Sequence, residues 1–348
     1  GGRTKTSASY QPGVFHFNGL LNQNHQVTAF KDLTVEQQVA TLEPLAASLV
    51  ESYGLGPYQI ESINHEFNST FKVTSQAGAQ YALRININSV RSLANTFAEV
   101  AWISQLAEHQ EIKVPQPVLT PEGQSVMRVP HRSTDRDLTV VMYSWLDGDD
   151  LGDEADPQQL EALGATMARM HEQSVHFALP NGADLPVFSD VLWNTRNCLL
   201  GDESELTAEE QSLLRVAFAE VQQAMDAMFA HTAAQVIHAD LHGWNVKWHD
   251  GQVAVFDFDD CGYGLPIQDL ATALYYLDSD EQRDAMKRGY ASVRPLPAHT
   301  EREMQALLLQ RRILLSNYLY ETTHPEHRAM APEYFVKTLQ RIEAFLQN

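Results

Sequence analysis

The chain has 348 residues, 44% of them hydrophobic, and a formal net charge of −21 at pH 7. This length allows one large or two ordinary domains with an ample hydrophobic core. The acidic charge argues against nucleic acid as a partner, because binding to a phosphate backbone requires a basic surface. No run of about 18 apolar residues occurs, so we predict no membrane-spanning segment and no membrane partner.

The first residues and the cysteines bear on the cellular compartment. Residues 1–9 are small and polar, without the apolar segment of a secretion signal, so we expect no signal peptide. Cys198 and Cys261 are too few and too unpatterned for a disulfide framework or a zinc knuckle. We therefore predict a reduced, cytoplasmic protein, whose oligomeric state the sequence leaves unknown.

The first segments in chain order are an arm, a helix and a set of strands. Residues 1–33 are polar and irregular and are predicted to form a disordered or loosely docked N-terminal arm. Thr34, followed by Glu36, starts a helix that is predicted to end at Gly54. Residues 58–87 then alternate between polar and apolar side chains, which predicts strands at about 58–63, 70–74 and 81–86.

A helix predicted over about Ser92–His109 carries a charged residue on its apolar face. Glu99 shares that face with Ile103 and Leu106, at helical spacing. A buried carboxylate is unfavourable unless it is paired with a cation. We therefore expect Glu99 to have a cationic partner inside the domain, and Arg84, on the third strand, is the candidate.

Two more strands are predicted, at about 125–129 and 138–145, before Asp147–Asp150 breaks the pattern. We place a domain boundary there, which gives a small sheet-rich lobe at 34–146 and a larger, mainly helical lobe at 147–348. Helices in the second lobe are predicted at about 158–173, 208–231, 268–276, 281–293, 300–322 and 332–346. This organisation corresponds to the α+β fold class.

The stretch with the clearest chemistry is V-I-H-A-D-L-H-G-W-N at 236–245, followed by V-A-V-F-D-F-D-D at 253–260. Asp-Gly at 250–251, between apolar runs, predicts a hairpin, so Asn245 and Asp257 should lie close together at its ends. With Asp240 they offer hard oxygen ligands of the kind that Mg²⁺ prefers. The spacing D-L-x-x-x-N, with an Asp one hairpin later, matches the catalytic loop of kinases and predicts a phosphotransferase site.

A zinc-dependent hydrolase is the competing interpretation of the same stretch. His238, Asp240 and His242 could supply zinc ligands. That interpretation gives Asn245 no role, whereas the kinase interpretation explains Asn245, the hairpin and Asp257 together. His238 follows a Val-Ile strand and is expected to be a hydrogen-bonded core histidine.

Six motifs together resemble one known family. They are A-L-R-I at 82–85, F-A-E-V-A-W at 97–102, M-Y-S-W-L-D-G at 142–148, H-A-D-L-H-G-W-N at 238–245, V-F-D-F-D-D-C-G-Y-G at 255–264 and Q-D-L-A at 268–271. Their order resembles the aminoglycoside phosphotransferase superfamily, from about Leu33 to the end of the chain. The resemblance is strongest to the branch that holds homoserine kinase type II, methylthioribose kinase and stress-response kinase A.

The resemblance implies a protein-kinase-like bilobal fold, with a small antiparallel-sheet N-lobe, a larger helical C-lobe and ATP in the cleft between them. Asp240 would be the catalytic base, and Asn245 and Asp257 would hold Mg²⁺ as metal ligands. Arg84, paired with Glu99, would replace the usual lysine on the α- and β-phosphates. Arginine is always charged but bulkier than lysine, and the two are not interchangeable.

The resemblance also implies the remaining nucleotide contacts. It places the adenine site at Met142, Tyr143, Ser144, Trp145 and Leu146, the last three through their backbone. The phosphate loop lacks the G-x-G-x-x-G pattern, and the segment from Glu66 through Asn68, Ser69 and Thr70 stands in its place. That segment could contact phosphate through hydroxyl and N–H groups, or it could be an ordinary hairpin turn. Lys72 is a second candidate phosphate ligand, and Asp269 is expected to support the catalytic loop.

The leading hypothesis is an ATP- and Mg²⁺-dependent phosphotransferase acting on a hydroxyl of a small metabolite, such as an amino acid, amino alcohol or amino sugar. One alternative is a Ser/Thr protein kinase of the stress-response type. Against it, Ala239 replaces an arginine of protein kinases, and the segment from Asp257 to Asp269 leaves no room for an activation loop. The other alternative is a catalytically silent nucleotide-binding pseudokinase, suggested by Arg84 and the glycine-poor loop.

The sequence does not identify the acceptor molecule. Trp193, Trp244 and Tyr263 are candidate acceptor contacts, and each is also explained by ordinary packing. Asp259, two residues beyond Asp257, is either a ligand of a second metal ion or a solvated side chain.

Overall fold

The computed structural model describes residues 28–322 and 324–348. Most of the predicted N-terminal arm, residues 1–27, lies outside the described residues. The chain divides into two compact units. The first contains the described residues up to Ser104 together with Pro115–Leu146, and the second contains Gln105–Val114 together with Asp147–Asn348.

The first unit is built on an antiparallel five-stranded sheet in the order β1-β2-β3-β5-β4. Its strands are β1 (Tyr58–His65), β2 (Asn68–Ser75), β3 (Gln80–Asn86), β4 (Met127–His131) and β5 (Arg136–Ser144), and its helices are α1 (Val35–Ser52) and α2 (Leu93–Ala107). All five predicted strands and both predicted helices are present. Their boundaries differ from the predicted ones by a few residues.

The core of the first unit forms where α1 packs on the sheet. Thr34 caps α1, as predicted, through a capping box with Gln37. The apolar face of α1 and alternate strand residues meet in one hydrophobic cluster, as their helical and strand periods require. Phe30, within the predicted arm, is part of this cluster, so the end of that segment is packed against the unit.

The second unit is mainly helical. Its helices are α3 (Pro157–Ser174), α4 (Ala208–His231), α5 (Pro266–Tyr275), α6 (Asp280–Ala291), α7 (Glu301–Glu321) and α8 (Pro325–Gln347). The predicted start of α8 at Pro332 was wrong by seven residues, since the helix begins at Pro325. Pro325 occupies the first turn, where its fixed φ suits the helix and its missing N–H has no helical partner. Among the described residues, no helix is both long and apolar enough to cross a membrane.

Short strands complete the second unit and carry the motif residues. They are β6 (Asp149–Asp150), β7 (Gln235–Ile237), β8 (Val246–His249), β9 (Gln252–Val255) and β10 (Gly262–Gly264). β8 and β9 form the predicted hairpin, with Asp250 at φ 50° and Gly251 at φ 74°. Positive φ at both central residues is the geometry of a type I′ turn. Phe256 N–H donates to Asn245 O at 3.0 Å, which holds the ends of the hairpin together.

Candidate active site

The loop at 238–245 is held in place by one buried carboxylate. Asp269 Oδ1 accepts from Ala239 N–H at 2.7 Å, and its Oδ2 accepts from His238 N–H at 3.1 Å. His171 Nε2 lies 2.9 Å from the same Oδ2. Ala239 is fully buried and has a φ of 70°, a left-handed conformation that costs about 1–3 kcal/mol unless the surroundings enforce it. The two N–H bonds to Asp269 enforce that conformation.

His238 is the core histidine that the sequence predicted. Its Nε2 lies 2.8 Å from Phe256 O, and its Nδ1 accepts from Asp240 N–H at 3.2 Å. Both ring nitrogens are therefore engaged with backbone groups, which leaves no lone pair for zinc. In the described part of the chain, no group of three or more His, Cys, Asp or Glu side chains is arranged to hold a metal ion. The geometry thus argues against the zinc interpretation.

Asp240 is held at both of its carboxylate oxygens. Arg311 Nη2 donates to Oδ1 at 2.5 Å, and Asn245 Nδ2 donates to Oδ2 at 3.0 Å. Burial is the largest single influence on this carboxyl and opposes its ionisation, but the charge of Arg311 together with the hydrogen bond and charge of His242 and the charge of His238 outweighs burial and lowers the pKa of Asp240 well below its ordinary value. Asp240 is therefore a carboxylate throughout the physiological pH range.

Asn245 is oriented by the same contact. Its Nδ2 also donates to Asp240 O at 2.8 Å, so the amide nitrogen faces the loop and the amide oxygen faces away from it. Asp257, across the hairpin, has a φ of 62°. Burial, followed by the charge of Asp259 and a hydrogen bond with it, raises the pKa of Asp257 well above its ordinary value. An amide oxygen and closely spaced carboxylates fit a hard divalent cation, which would relieve the repulsion between the carboxylates.

Replacing Asp257 with Asn should stabilise the protein when no metal is present. Because the pKa of Asp257 is higher in the folded than in the unfolded protein, its contribution to stability is present at acidic pH and is lost as the pH rises. Asn cannot ionise, so at neutral pH we expect the metal-free variant to melt at a higher temperature than the wild type. The increase should be about 2–4 °C for each kcal/mol gained in the free energy of unfolding. We also expect Mg²⁺ to stabilise the wild-type protein but not the variant, because Asp257 is a predicted ligand of the ion. Melting curves with Mg²⁺ and with chelator test both effects, and a variant that melts lower in chelator contradicts this prediction.

In the first unit, Arg84 and Glu99 form the predicted ion pair. Arg84 Nη1 lies 2.6 Å from Glu99 Oε1, and Nη2 lies 2.7 Å from Oε2, so the contact is bidentate. Tyr143 donates to Glu99 Oε1 at 3.0 Å. Glu99 is only 3% exposed, and the expected pairing with Arg84 is confirmed. The pair fixes the guanidinium group on β3.

Replacing Glu99 with Gln should destabilise the first unit by about 3–5 kcal/mol, because the Arg84 side chain, only 11% exposed, would lose the negative charge of Glu99. Denaturant titration measures the loss. Glu111→Gln is the matched control, since Glu111 pairs with Arg169 at 3.4 Å but is 65% exposed. Exposed pairs contribute about 0–1 kcal/mol. Equal losses in the two variants would contradict the prediction.

The segment proposed for adenine has most of its backbone donors engaged. Ser144 N–H donates to Gln116 O at 2.8 Å, and Trp145 N–H donates to Gln80 O at 3.1 Å. Leu146 N–H has no acceptor among the described residues. Met142 is fully buried in the hydrophobic core of the unit.

The hairpin in place of a glycine-rich loop turns at Glu66 and Phe67, between β1 and β2. Thr70 lies opposite Arg84 in the β2–β3 ladder, so the two side chains share one face of the sheet. Asn68 and Lys72 lie on that face as well. Ser69 is on the other face, where its hydroxyl lies 3.1 Å from His65 Nδ1.

Lys72 lies close to the segment proposed for adenine. Its Nζ is 4.4 Å from the centre of the Trp145 ring, which is within the range of a cation–π contact.

Three side chains were missed by the sequence analysis: Arg311 and Tyr276, which lie near Asp240, and His171, which contacts Asp269. Arg311 and Arg312 are buried within α7, which is otherwise rich in leucine. The argument applied to Glu99, that a charge on an apolar helix face needs a partner, would have singled out both arginines. It would not have identified the partner.

The three candidate acceptor contacts differ in their surroundings. Trp193 stacks on Phe188 at 4.4 Å and packs against the small hydrophobic cluster of Phe188, Ile237 and Ala239. Trp244 is 43% exposed and donates to Asp153 Oδ1 at 2.9 Å. Tyr263 lies on β10 and pairs with β7. Of the three, Trp193 packs against the cluster that includes Ala239 of the loop.

Comparisons with known proteins place the chain among phosphotransferases. A model of the phosphotransferase enzyme family matches residues 59–306. Amicoumacin kinase of Bacillus subtilis (strain 168) is 26% identical over 239 residues, 67% of this chain and 67% of that protein. The structure of a microcompartment-associated aminopropanol kinase is similar with a TM-score of 0.74, at 24% identity over 87% of this chain and 97% of that one. An amicoumacin kinase in complex with AMP-PNP and Ca²⁺ has a TM-score of 0.68, at 21% identity over 88% and 96% of the two chains.

These comparisons confirm the predicted fold class and the predicted superfamily, while the branch of homoserine kinase type II stays a prediction. The family match includes both the sheet of the first unit and the catalytic stretches of the second. The chain therefore belongs to the phosphotransferase enzyme family, and it is a kinase, that is, a phosphotransferase with an alcohol group as acceptor.

Proposed function

We propose that this chain is an ATP- and Mg²⁺-dependent kinase that phosphorylates a hydroxyl of a small, amine-bearing metabolite. The observation that carries the proposal is the geometry around Asp240. Its carboxylate is fixed at both oxygens, and the amide oxygen of Asn245 faces away from it, beside the hairpin that carries Asp257. Phosphoryl transfer depends mainly on such positioning and on neutralisation of charge.

Each residue has a role in this proposal. Asp240 accepts a hydrogen bond from the acceptor hydroxyl, orients it and takes its proton. Asn245 and Asp257 would hold Mg²⁺, and Asp259 supports Asp257. When bound, the ion would neutralise the negative charge of the phosphates. In the first unit, the Arg84 guanidinium contacts phosphate oxygens, and Thr70 shares its face of the sheet.

Leu146 is the proposed backbone contact for adenine. The adenine segment offers three predicted backbone donors, at Ser144, Trp145 and Leu146. Among them, the N–H of Leu146 has no acceptor in the described part of the chain. Ser144 and Trp145 instead hold the segment to the rest of the first unit. This narrows the predicted adenine contacts to a single donor.

The acceptor class rests on the relatives. One relative is named an aminopropanol kinase, and aminopropanol is a small alcohol with an amine. The net charge of −21 suits a cationic acceptor, because an acidic surface attracts cations. A protein acceptor is disfavoured because β10 and α5 follow Asp257 directly, which leaves no segment for an activation loop.

Thermal melting tests the proposal. AMP-PNP with Mg²⁺ at one hundred times its dissociation constant should stabilise the protein by about 2.7 kcal/mol, and chelator should abolish the shift. Aminopropanol, homoserine and amino sugars are then added one at a time, and those that raise the melting temperature further are assayed for phosphorylation. Absence of a metal-dependent nucleotide shift would contradict the proposal. Binding without transfer to any hydroxyl would favour a pseudokinase.

A further inference from the structure

Arg311 is fixed by groups from two parts of the second unit, the loop at 238–245 and the end of α5. Its side chain is 8% exposed, and Nη2 lies 2.5 Å from Asp240 Oδ1. Tyr276, the C-cap residue that follows α5, accepts from Nη2 at 2.9 Å and from Nε at 3.3 Å. Ala239 O lies 3.5 Å from Nη1. A guanidinium group with so many bonds to protein has little freedom to turn toward a ligand.

These contacts fix the direction of the Asp240 carboxylate. Oδ1 faces Arg311 and, at 3.4 Å, His242 Nε2, while Oδ2 accepts one bond from Asn245. Each carboxylate oxygen has two acceptor positions. Oδ2 therefore keeps one position for an incoming hydroxyl, whereas Oδ1 is directed at the two side chains that hold it.

Arg311 also offsets the negative charge of the site. Asp259, Asp260 and Asp240 all lie within electrostatic range of Asp257. ATP adds further negative charge wherever its phosphates bind. A fixed guanidinium at Asp240 Oδ1 lowers the repulsion between this carboxylate and a phosphoryl group, without using the Oδ2 position.

We propose that Arg311, held by Tyr276, is a positioning residue that aims Asp240 Oδ2 at the acceptor hydroxyl. We call this arrangement the Arg311 clamp. The inference rests on the proposed function, since the clamp acts through Asp240. It predicts that the loss of Arg311 lowers kcat rather than substrate binding.

The neighbouring residue on α7 provides a matched control. Arg312 is also buried, but its Nε donates to Thr338 Oγ1 at 2.9 Å and its Nη2 donates to Tyr334 O at 2.8 Å. Both partners lie on α8. Arg312 thus holds two helices together and has no bond to the catalytic loop among the contacts described.

Activity measurements form the first test. Arg311→Met should lower kcat by about 100-fold with little change in either KM, because a misplaced catalytic group costs about that much. Arg311→Lys keeps the positive charge but not the planar guanidinium group that forms several hydrogen bonds, so its kcat should fall by less than that of Arg311→Met. Guanidinium added at millimolar concentration should restore part of the kcat of Arg311→Ala. Arg312→Lys should melt lower but keep its kcat.

A double-mutant cycle forms the second test and needs no acceptor. The denaturation midpoints of Asp240→Asn, Arg311→Met and the double variant are compared with that of the wild type. The clamp predicts that the double variant shifts by less than the sum of the single shifts. Additive shifts would overturn the clamp, as would a wild-type kcat in Arg311→Met or equal kcat losses in Arg311→Lys and Arg312→Lys. A non-additive cycle in a protein that phosphorylates no acceptor would instead overturn the proposed function, while the coupling between Arg311 and Asp240 would stand.

Discussion

Asp240→Asn is expected to lower kcat by about 10²- to 10⁴-fold, the range by which a positioned general base accelerates a reaction. The amide keeps the shape of the carboxylate but cannot take a proton from the acceptor hydroxyl. It also removes the negative charge that faces Arg311, so the side chain loses its fixed direction. Steady-state kinetics with an acceptor found by melting measures the loss.

Nucleotide binding separates this effect from misfolding. The shift in melting temperature with AMP-PNP and Mg²⁺ should persist in Asp240→Asn, because Asn245 and Asp257 remain. Asp202→Asn, at an exposed position, is the matched control and should behave as the wild type. If Asp240→Asn retained wild-type kcat, Asp240 would have no part in the transfer.

Asp269→Ala is expected to cost about 2–6 kcal/mol of stability, because two buried backbone N–H groups lose their acceptor. Asp269 is 1% exposed and accepts the N–H groups of His238 and Ala239. Without it, both donors are buried and unpaired, and each such group costs about 1–3 kcal/mol. The left-handed conformation of Ala239 would lose its support at the same time.

Denaturant titration of Asp269→Ala, followed by the signal of the second unit, measures the loss. Asp269→Asn keeps the volume of the side chain and one acceptor oxygen, so its free energy of unfolding should lie between those of the alanine variant and the wild type. Because the loop would lose the conformation that Asp269 holds, catalytic activity should fall even under conditions where the alanine variant remains folded. A variant as stable as the wild type would show that the loop is held by other contacts.

Much of the fold could be predicted because its determinants are local. Alternation over residues 58–87 and helical spacing over Ala208–His231 each follow from the period of one element. The Asp-Gly turn at 250–251 predicts its hairpin from two residues, and the hairpin brings Asn245 toward the strand before Asp257. Helix ends depend on weaker signals, which is why α8 was predicted to begin at the second of its two prolines.

The candidate site was predicted in part for the same reason. Asp240, Asn245 and Asp257 lie on one loop and one hairpin, so their spacing carries their geometry. Arg84 and Glu99 could be matched because a buried charge needs a partner and few cations were close in sequence. Their roles in binding nucleotide and metal stay proposals that the melting experiments address.

The sequence by itself therefore determined the elements, the family and the spacing of the catalytic loop. Only the tertiary structure decided what surrounds Asp240. Arg311 is 71 residues away from Asp240 along the chain, and His171 is 98 residues away from Asp269. The packing of α3, α5 and α7 brings these side chains together. The sequence between the residues does not show how close they come in the folded chain. Periodicity records which face of an element is buried, whereas the partner on that face depends on how the helices pack.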